Sequence, residues 1–138
     1  MKEPRFDEIE LGAELPPLQL PAISRTTLAL YAGASGDHNP IHIDLDFARK
    51  AGMPDVFAHG MLSVAYLGRL LTGWVRQERI RQVTVRFSGI TNVHDAPLCT
   101  GRVVEKFVAD DERRVRVELR SSAAGADKII GEAVVALS

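Results

Sequence analysis

The side chains best suited to chemistry are concentrated in one short polar segment, residues 35–44. Five of its members can transfer protons or bind ligands: Asp37, His38, Asn39, His42 and Asp44. A carboxylate and an imidazole held close together can position a water molecule and move its proton, because histidine titrates near neutral pH. Asp37 and His42 therefore predict hydration or its reverse. A turn with a purely structural role is the alternative, since Asp and Asn before a proline are ordinary turn residues.

The same residues raise the question of a metal site. Five side chains could each supply a ligand atom: Asp37, His38, His42, Asp44 and His59. Pro40 lies between His38 and His42, and it disfavours the helical backbone that would put two histidines four residues apart on one face. We therefore predict a site without a metal or other cofactor, with His38 exposed or outside the catalytic contacts.

A second chemical feature is the sequence AHG, which comes directly before a long apolar segment. If a helix begins at Gly60, the first N–H groups of that helix have no intrahelical partner and attract negative charge. The N–H of Gly60 could then stabilise an enolate-like oxygen, because glycine allows a close approach. A plain glycine at a helix start is the alternative. Ser63, one turn later, could bond a group in the site or its own backbone.

Two short helices are predicted on either side of the polar segment. The first runs from residue 24 or 25 to Gly36, where glycine ends it, and the second covers residues 45–52 with Asp44 as its N-terminal cap. Between them, residues 37–42 are predicted to be irregular, because Pro40 cannot continue a helical ladder of hydrogen bonds.

The rest of the chain predicts one long helix and several strands. Residues 60–75 are apolar on nearly every side, which indicates a helix enclosed by other elements. Apolar and polar residues then alternate as in half-exposed strands. The predicted strands cover residues 83–88, 99–108, 115–120 and 129–137, and the front is irregular or short-stranded. We predict a single α+β domain over residues 1–138, in which an antiparallel meander of about four strands wraps the helix, the outline called a hotdog.

Composition excludes several classes of protein. The 138 residues carry 17 basic and 18 acidic side chains, so no net field favours nucleic acid. Cys99 is the only cysteine, and we expect it to be a buried small residue in a cytoplasmic protein. The N-terminus does not have the pattern of a signal peptide. The apolar stretch over residues 56–75 contains His59 and Arg69, which favours a core helix over membrane insertion.

Several other residues are expected to be structural. Large side chains at helical spacing could line an acyl tunnel but are predicted to be core: Tyr31, Met61, Tyr66 and Trp74. Arg86 and Arg102, on predicted strand faces, are expected to be solvated surface charges.

Three segments together resemble a known family. SGDHNPIHID resembles the hydratase motif of MaoC-like proteins, FAHGMLS resembles the helix start that follows that motif, and RFSGITNVHDAP is similar to the next strand and turn. The resemblance runs from about Leu28 to Arg102. Within the family it is greatest to the catalytic beta subunits of mycolic-acid-type (3R)-hydroxyacyl-carrier dehydratases.

The resemblance implies a hotdog fold and a dimer, of two copies or with another hotdog subunit, whose sheets join edge to edge. It implies interconversion of trans-2-enoyl and (3R)-hydroxyacyl thioesters of coenzyme A or acyl carrier protein. Asp37 and His42 would activate water, or protonate the leaving hydroxyl in the reverse direction. Gly60 would give its backbone N–H to the thioester oxygen. Supporting or substrate-binding roles would fall to three further residues: Asn39, His59 and Ser63.

The chain departs from the family pattern in two places. The segment HDAP replaces a frequent proline-glycine turn, and Ala65 stands where a serine is often found in the central helix. The second departure leaves Ser63 either to take over that hydrogen bond or to stand apart from it. Two other functions use the same fold: a hotdog acyl-CoA thioesterase, and a supporting subunit that binds acyl chains in a heteromeric dehydratase.

Overall fold

A computed structural model of the protein describes residues 2–138. This part of the chain contains five antiparallel strands and three α-helices. The helices are α1 (Arg25–Ser35), α2 (Leu45–Lys50) and α3 (Gly60–Thr72). The strands are β1 (Leu18–Gln19), β2 (Ile80–Phe87), β3 (Leu98–Ala109), β4 (Glu112–Ala123) and β5 (Ala126–Ala136). Single 3-10 turns occupy Pro40–His42 and Gln77–Arg79.

The sheet has the order β1-β3-β4-β5-β2 and curls around α3. The four predicted strands are confirmed, each starting or ending a few residues from its expected bounds. The expected meander was wrong for β2, which pairs with β5 instead of β3. The two-residue strand β1 occupies the other edge of β3, so β2 is left at the far side of the sheet. Two residues are too few to show an alternating pattern, and for that reason β1 was not predicted individually.

One face of α3 packs on the inner face of the sheet. Leu67 and Leu71 are fully buried there, and Trp74 closes the cluster just after the helix ends. The expectation that α3 is enclosed on all sides was wrong, because Met61 is 59% exposed and Ala65 and Arg69 are exposed as well. The sheet covers one side only, and the stripe formed by Met61, Ala65 and Arg69 stays open.

A second, smaller core holds the polar segment against the start of α3. Leu28 of α1 and Ala48 of α2 pack with Leu62 of α3. The predicted ends of α1 are confirmed: Ser24 Oγ accepts the N–H of Thr27 at 3.0 Å, and Gly36 ends α1 in the left-handed region at φ 78°. Helix α2 begins after its predicted cap Asp44 and ends at Lys50, two residues before the predicted Gly52. The residues between α1 and α2 are therefore anchored at both ends.

Other expectations about the fold are also confirmed. Cys99 is buried, and burial raises the pKa of its thiol, so it behaves as a small core residue. Arg86, Arg102 and His38 are exposed. Within residues 2–138, no helix combines the length and the apolar character needed to cross a membrane.

Candidate active site

A ladder of local hydrogen bonds shapes the loop that carries the polar segment. Ser35 Oγ accepts the N–H of Asp37 at 3.1 Å, Asp37 Oδ1 accepts the N–H of Asn39 at 3.2 Å, and Asn39 Oδ1 accepts the N–H of Ile41 at 3.1 Å. Residues 37–42 are more ordered than predicted, because Pro40 begins a 3-10 turn instead of only breaking a helix. Proline is tolerated at that first position, where its missing N–H has no intrahelical partner to lose.

His42 ends this turn in a partly enclosed position and is 9% exposed. Its Nδ1 lies 2.8 Å from the carbonyl oxygen of Phe57. A carbonyl oxygen can only accept, so Nδ1 carries the hydrogen in the neutral ring and Nε2 keeps a lone pair. The Phe57 ring meets the imidazole edge to face, with 5.0 Å between ring centroids. The loop before α3 therefore fixes both the tautomer and the orientation of His42.

His59 lies directly before α3 and is only 1% exposed. Its Nε2 is 3.1 Å from the backbone oxygen of Asp37, a residue 22 positions away in the chain. Its ring stacks on that of His42, with centroids 4.1 Å apart and an angle of 28° between planes. Burial lowers the pKa of His59 below its ordinary value, because the buried ring lacks the water that would stabilise its charged form.

Asp37, His42 and His59 form one cluster, in which each residue offers a ligand-type atom within 4.8 Å of the others. The two predicted catalytic residues thus lie together, and His59 joins them from a distant part of the chain. Each histidine already has one ring nitrogen bound to a backbone carbonyl. A carboxylate next to an imidazole lone pair is an arrangement that can hold a water molecule and exchange protons with it.

Two residues considered as metal ligands lie outside this cluster. Asp44 caps α2, where its Oδ1 accepts the N–H groups of Asp46 and Phe47 at 3.0 and 3.2 Å. His38 points into solvent on the exposed loop. Both positions agree with the sequence-based expectations of a helix cap and an exposed histidine.

The start of α3 is held in place by the loop before it. The N–H of Ala58 donates to the carbonyl of Thr91 at 2.9 Å, and Phe57 forms an isolated bridge with Asn92. An ion pair between Asp55 and Arg25 ties the same loop to α1. The N–H of Gly60 therefore occupies a fixed position next to the histidine cluster.

A cleft of about 170 Å³ opens at this helix start. It is lined by Phe57, Ala58, Gly60, Ser63, Phe87, Gly89, Ile90, Thr91 and Ile129. A Cβ at position 60 would lie 2.7 Å from Cε1 of Phe87, so any residue other than glycine would require the Phe87 ring to move. A larger groove of about 490 Å³ lies over β3 and β4. Asp37, His42 and His59 line neither the cleft nor this groove, and the cleft reaches the cluster through Gly60, the neighbour of His59.

Ser63 lines the cleft and Ala65 is exposed, so a serine in place of Ala65 would not face it. Sequence reasoning missed Phe57 and Phe87. The only signal of Phe87 is its place in an alternating strand, which does not single it out as a site residue. The prediction that Met61 is a core residue was wrong, because Met61 lies on the open face of α3. Tyr31, Tyr66 and Trp74 do pack in the two cores.

Comparison with known proteins places this site in a family. Residues 12–124 match the family described as MaoC like domain. The chain belongs to the MaoC-like dehydratase family. This match contains the clustered residues, the lining of the cleft except Ile129, and four of the five strands. The family and the hotdog fold expected from the sequence are thereby confirmed.

Individual relatives give the same result. Fatty acid synthase subunit beta of Saccharomyces cerevisiae is 30% identical over 121 residues, which cover 80% of this chain and 6% of the yeast protein. Among solved structures, the R-hydratase PhaJ1 from Pseudomonas aeruginosa has a TM-score of 0.83 at 28% identity and covers 97% of this chain and 86% of its own. The (R)-hydratase of A. caviae involved in PHA biosynthesis has a TM-score of 0.80 at 25% identity, over 95% of this chain and 98% of its own.

Proposed function

We propose that this protein is an (R)-specific hydratase/dehydratase that interconverts trans-2-enoyl and (3R)-hydroxyacyl thioesters of coenzyme A or acyl carrier protein. The observation that carries the proposal is the approach of Asp37 and His42 to one another beside the N-terminus of α3. Proteins of similar fold described as R-hydratases support this class of reaction. Hydration and dehydration share one transition state, so the same residues serve both directions.

In the proposed hydration, Asp37 and His42 hold the attacking water between them. The water oxygen bonds to C3 of the enoyl group, and one water proton passes to the pair. The pair then returns a proton to C2 as the double bond is lost. The bond from His42 Nδ1 to the Phe57 carbonyl leaves Nε2 as the atom that takes or gives the proton. In dehydration the steps reverse, and the pair protonates the leaving hydroxyl.

Gly60 supplies the second part of the proposed mechanism. Its N–H belongs to the first turn of α3, where backbone donors have no intrahelical acceptor. Negative charge develops on the thioester oxygen when C3 is attacked, and an N–H at a helix start stabilises it. The 170 Å³ cleft beside Gly60 has mostly apolar walls, which suits an acyl chain. Ser63 lines the same cleft and Asn39 shapes the loop of Asp37, so both act in support.

We further propose that the reaction uses no metal and no separate cofactor, since proton transfer between a carboxylate, an imidazole and water suffices for it. A buried free Cys99 in a chain with no other cysteine supports a reducing, cytoplasmic setting. The acyl group and its carrier are then the only ligands that the site must bind.

Assembly with a second hotdog subunit, identical or different, is also part of the proposal. The inward row of β2 extends beyond the cover of α3, which leaves Val83 43% and Phe87 53% exposed. An eight-residue edge strand with apolar exposed side chains is a surface that a partner sheet can cover. One solved structure of this fold, at 22% identity, is the ChsH1-ChsH2 complex from Mycobacterium tuberculosis.

The experiment that tests this function follows the enoyl-thioester absorbance of trans-2-enoyl-CoAs of increasing length. Loss of absorbance with a (3R)-hydroxyacyl product supports the proposal, and a (3S) product contradicts it. Release of free thiol without hydration would identify a thioesterase. If neither reaction occurs, an addition of candidate hotdog partners decides between a heteromeric enzyme and a supporting acyl-binding subunit.

A further inference from the structure

We infer that His59 is a positioning residue, whose neutral ring fixes the backbone of Asp37 and supports one face of His42. The inference rests on the proposed function, because it assigns a role in the same site. It starts from three contacts that converge on one buried side chain: the bond to the Asp37 carbonyl, the stack on His42, and an edge contact with Tyr31 at 4.8 Å between centroids.

The hydrogen-bond partner fixes the tautomer of His59. The Asp37 carbonyl can only accept, so Nε2 carries the hydrogen and Nδ1 carries the lone pair. Nδ1 is buried and has no hydrogen-bond partner within residues 2–138. Protonation would add an N–H at the buried Nδ1, where there is no acceptor, and would put a charge in the stack with His42. The ring is therefore neutral when the enzyme works.

The stack limits how His42 can exchange a proton. Phe57 holds Nδ1 of His42, and the His59 ring covers one face of its imidazole. The remaining route for a proton is the edge at Nε2. Through Nε2–H, His59 also anchors the carbonyl of Asp37, so one side chain sets the relative position of both proposed catalytic residues.

Packing alone gives no reason for a histidine at this position. Phenylalanine has a ring of similar shape and would remove a buried nitrogen that lacks a partner, which is a costly group in a protein interior. The same change also removes the bond to the Asp37 carbonyl, so a purely structural role predicts that the activity of His59→Phe follows its stability. A positioning role predicts that activity is lost while stability is kept.

The test compares His59→Phe with His59→Gln in the full-length protein. Phenylalanine keeps a stacking ring and lacks the donor, whereas the glutamine amide places a donor near the position of Nε2. We expect His59→Phe to lower kcat about 100-fold with KM and the melting temperature little changed, because small errors in catalytic geometry are costly. We expect the kcat of His59→Gln to be about tenfold higher than that of His59→Phe, because glutamine restores the bond to Asp37.

Two results would overturn the inference. One is a kcat of His59→Phe equal to that of the natural protein. The other is an equal loss of kcat in both variants that parallels the fall in their melting temperatures. A measurement without turnover separates this inference from the proposed function. Nitrogen-15 NMR of the natural protein should show His59 as the neutral Nε2–H tautomer at about pH 7.5. A protein that hydrates no enoyl thioester but shows this tautomer contradicts the function only, whereas an Nδ1–H or protonated ring overturns the positioning role.

Discussion

At the scale of single residues, backbone carbonyls give the two stacked histidines opposite tautomers. Phe57 accepts from Nδ1 of His42, and Asp37 accepts from Nε2 of His59. The two imidazoles therefore differ in which ring nitrogen is free of a backbone partner. His42 keeps its lone pair at Nε2, and His59 keeps its lone pair at the buried Nδ1. The difference assigns proton transfer to one ring and support to the other.

The burial of His59 predicts how stability depends on pH. Burial lowers the pKa of His59 below 6.5, so the unfolded chain binds a proton more readily than the folded chain. Stability is therefore fully present above 6.5 and is lost as the pH falls through 6.5 towards the lowered pKa. The charged and titratable groups that face His59 are His42, Asp37 and Tyr31. We expect His59→Phe to lose less stability than the natural protein on acidification.

Urea unfolding of both proteins at about pH 7.5 and pH 5.5 measures this effect. An equal fall in the free energy of unfolding for both proteins would show that His59 does not take up a proton on unfolding in this range.

The sequence predicted the proposed catalytic residues better than their support. Asp37 and His42 are close in the chain, and their residue types alone suggest proton transfer. His59 was considered only as a possible ligand or supporting residue, because its contact with Asp37 spans 22 positions. Stacking and burial depend on how α1, α2 and α3 pack, and no local pattern encodes that packing.

At the scale of elements, the turn that carries His42 depends on its cap. Asn39 caps the 3-10 turn, and Asp44 caps α2 in a similar way. Replacing either residue by alanine should cost about 1 kcal/mol of stability, because each removes an acceptor for N-terminal N–H groups. We expect only Asn39→Ala to lower kcat, about tenfold, since small displacements of a catalytic group are costly and its turn orients His42.

Thermal unfolding and steady-state kinetics of the two variants provide this comparison, with Asp44→Ala as the matched control. Equal kcat values for the two variants would mean that the cap of Asn39 has no special part in positioning His42.

The elements themselves were largely predictable, because capping residues and alternating patterns are local signals. Ser24, Gly36 and Asp44 mark helix ends correctly. The position of β2 beside β5 was not predictable in this way. It depends on pairs of residues far apart in the chain, such as Phe87 with Ile129. The alternation of apolar and polar residues in β2 predicts a strand, but it does not predict which strand β2 pairs with.

At the scale of the whole molecule, the two edges of the sheet differ. One edge is the two-residue β1, which lies among Pro16, Pro17 and Pro21, and the other is the open strand β2. Proline lacks the N–H that strand pairing requires, so the β1 edge is poorly suited to a partner. The cleft beside Gly60 lies next to Phe87 on the β2 side. Assembly through β2 would therefore also cover part of the cleft.

This arrangement predicts the effect of a charge on each face of β2. The natural protein should have a native mass of at least twice the 15.1 kDa of one chain, alone or with its partner. Val83→Lys, on the inward face, should lower the mass to that of one chain and reduce activity, because a buried unpaired charge is costly. Thr84→Lys, on the outward face, adds the same charge and should preserve the assembly.

Light scattering after gel filtration measures these masses. A monomeric natural protein with full hydratase activity, or equal dissociation by both lysines, would contradict assembly through the inward face of β2.

The measurement that tests the central claim most directly is a double-mutant comparison of enoyl-CoA hydration. The variants are Asp37→Asn, His42→Asn and both together, with His38→Ala as the exposed control. If Asp37 and His42 act on one water, each single variant should lower kcat about 10²- to 10⁴-fold. The double variant should then be no more than about tenfold slower than the worse single one, because residues that act as a unit are not additive. A single variant with natural kcat, or losses that multiply fully in the double variant, would contradict the account.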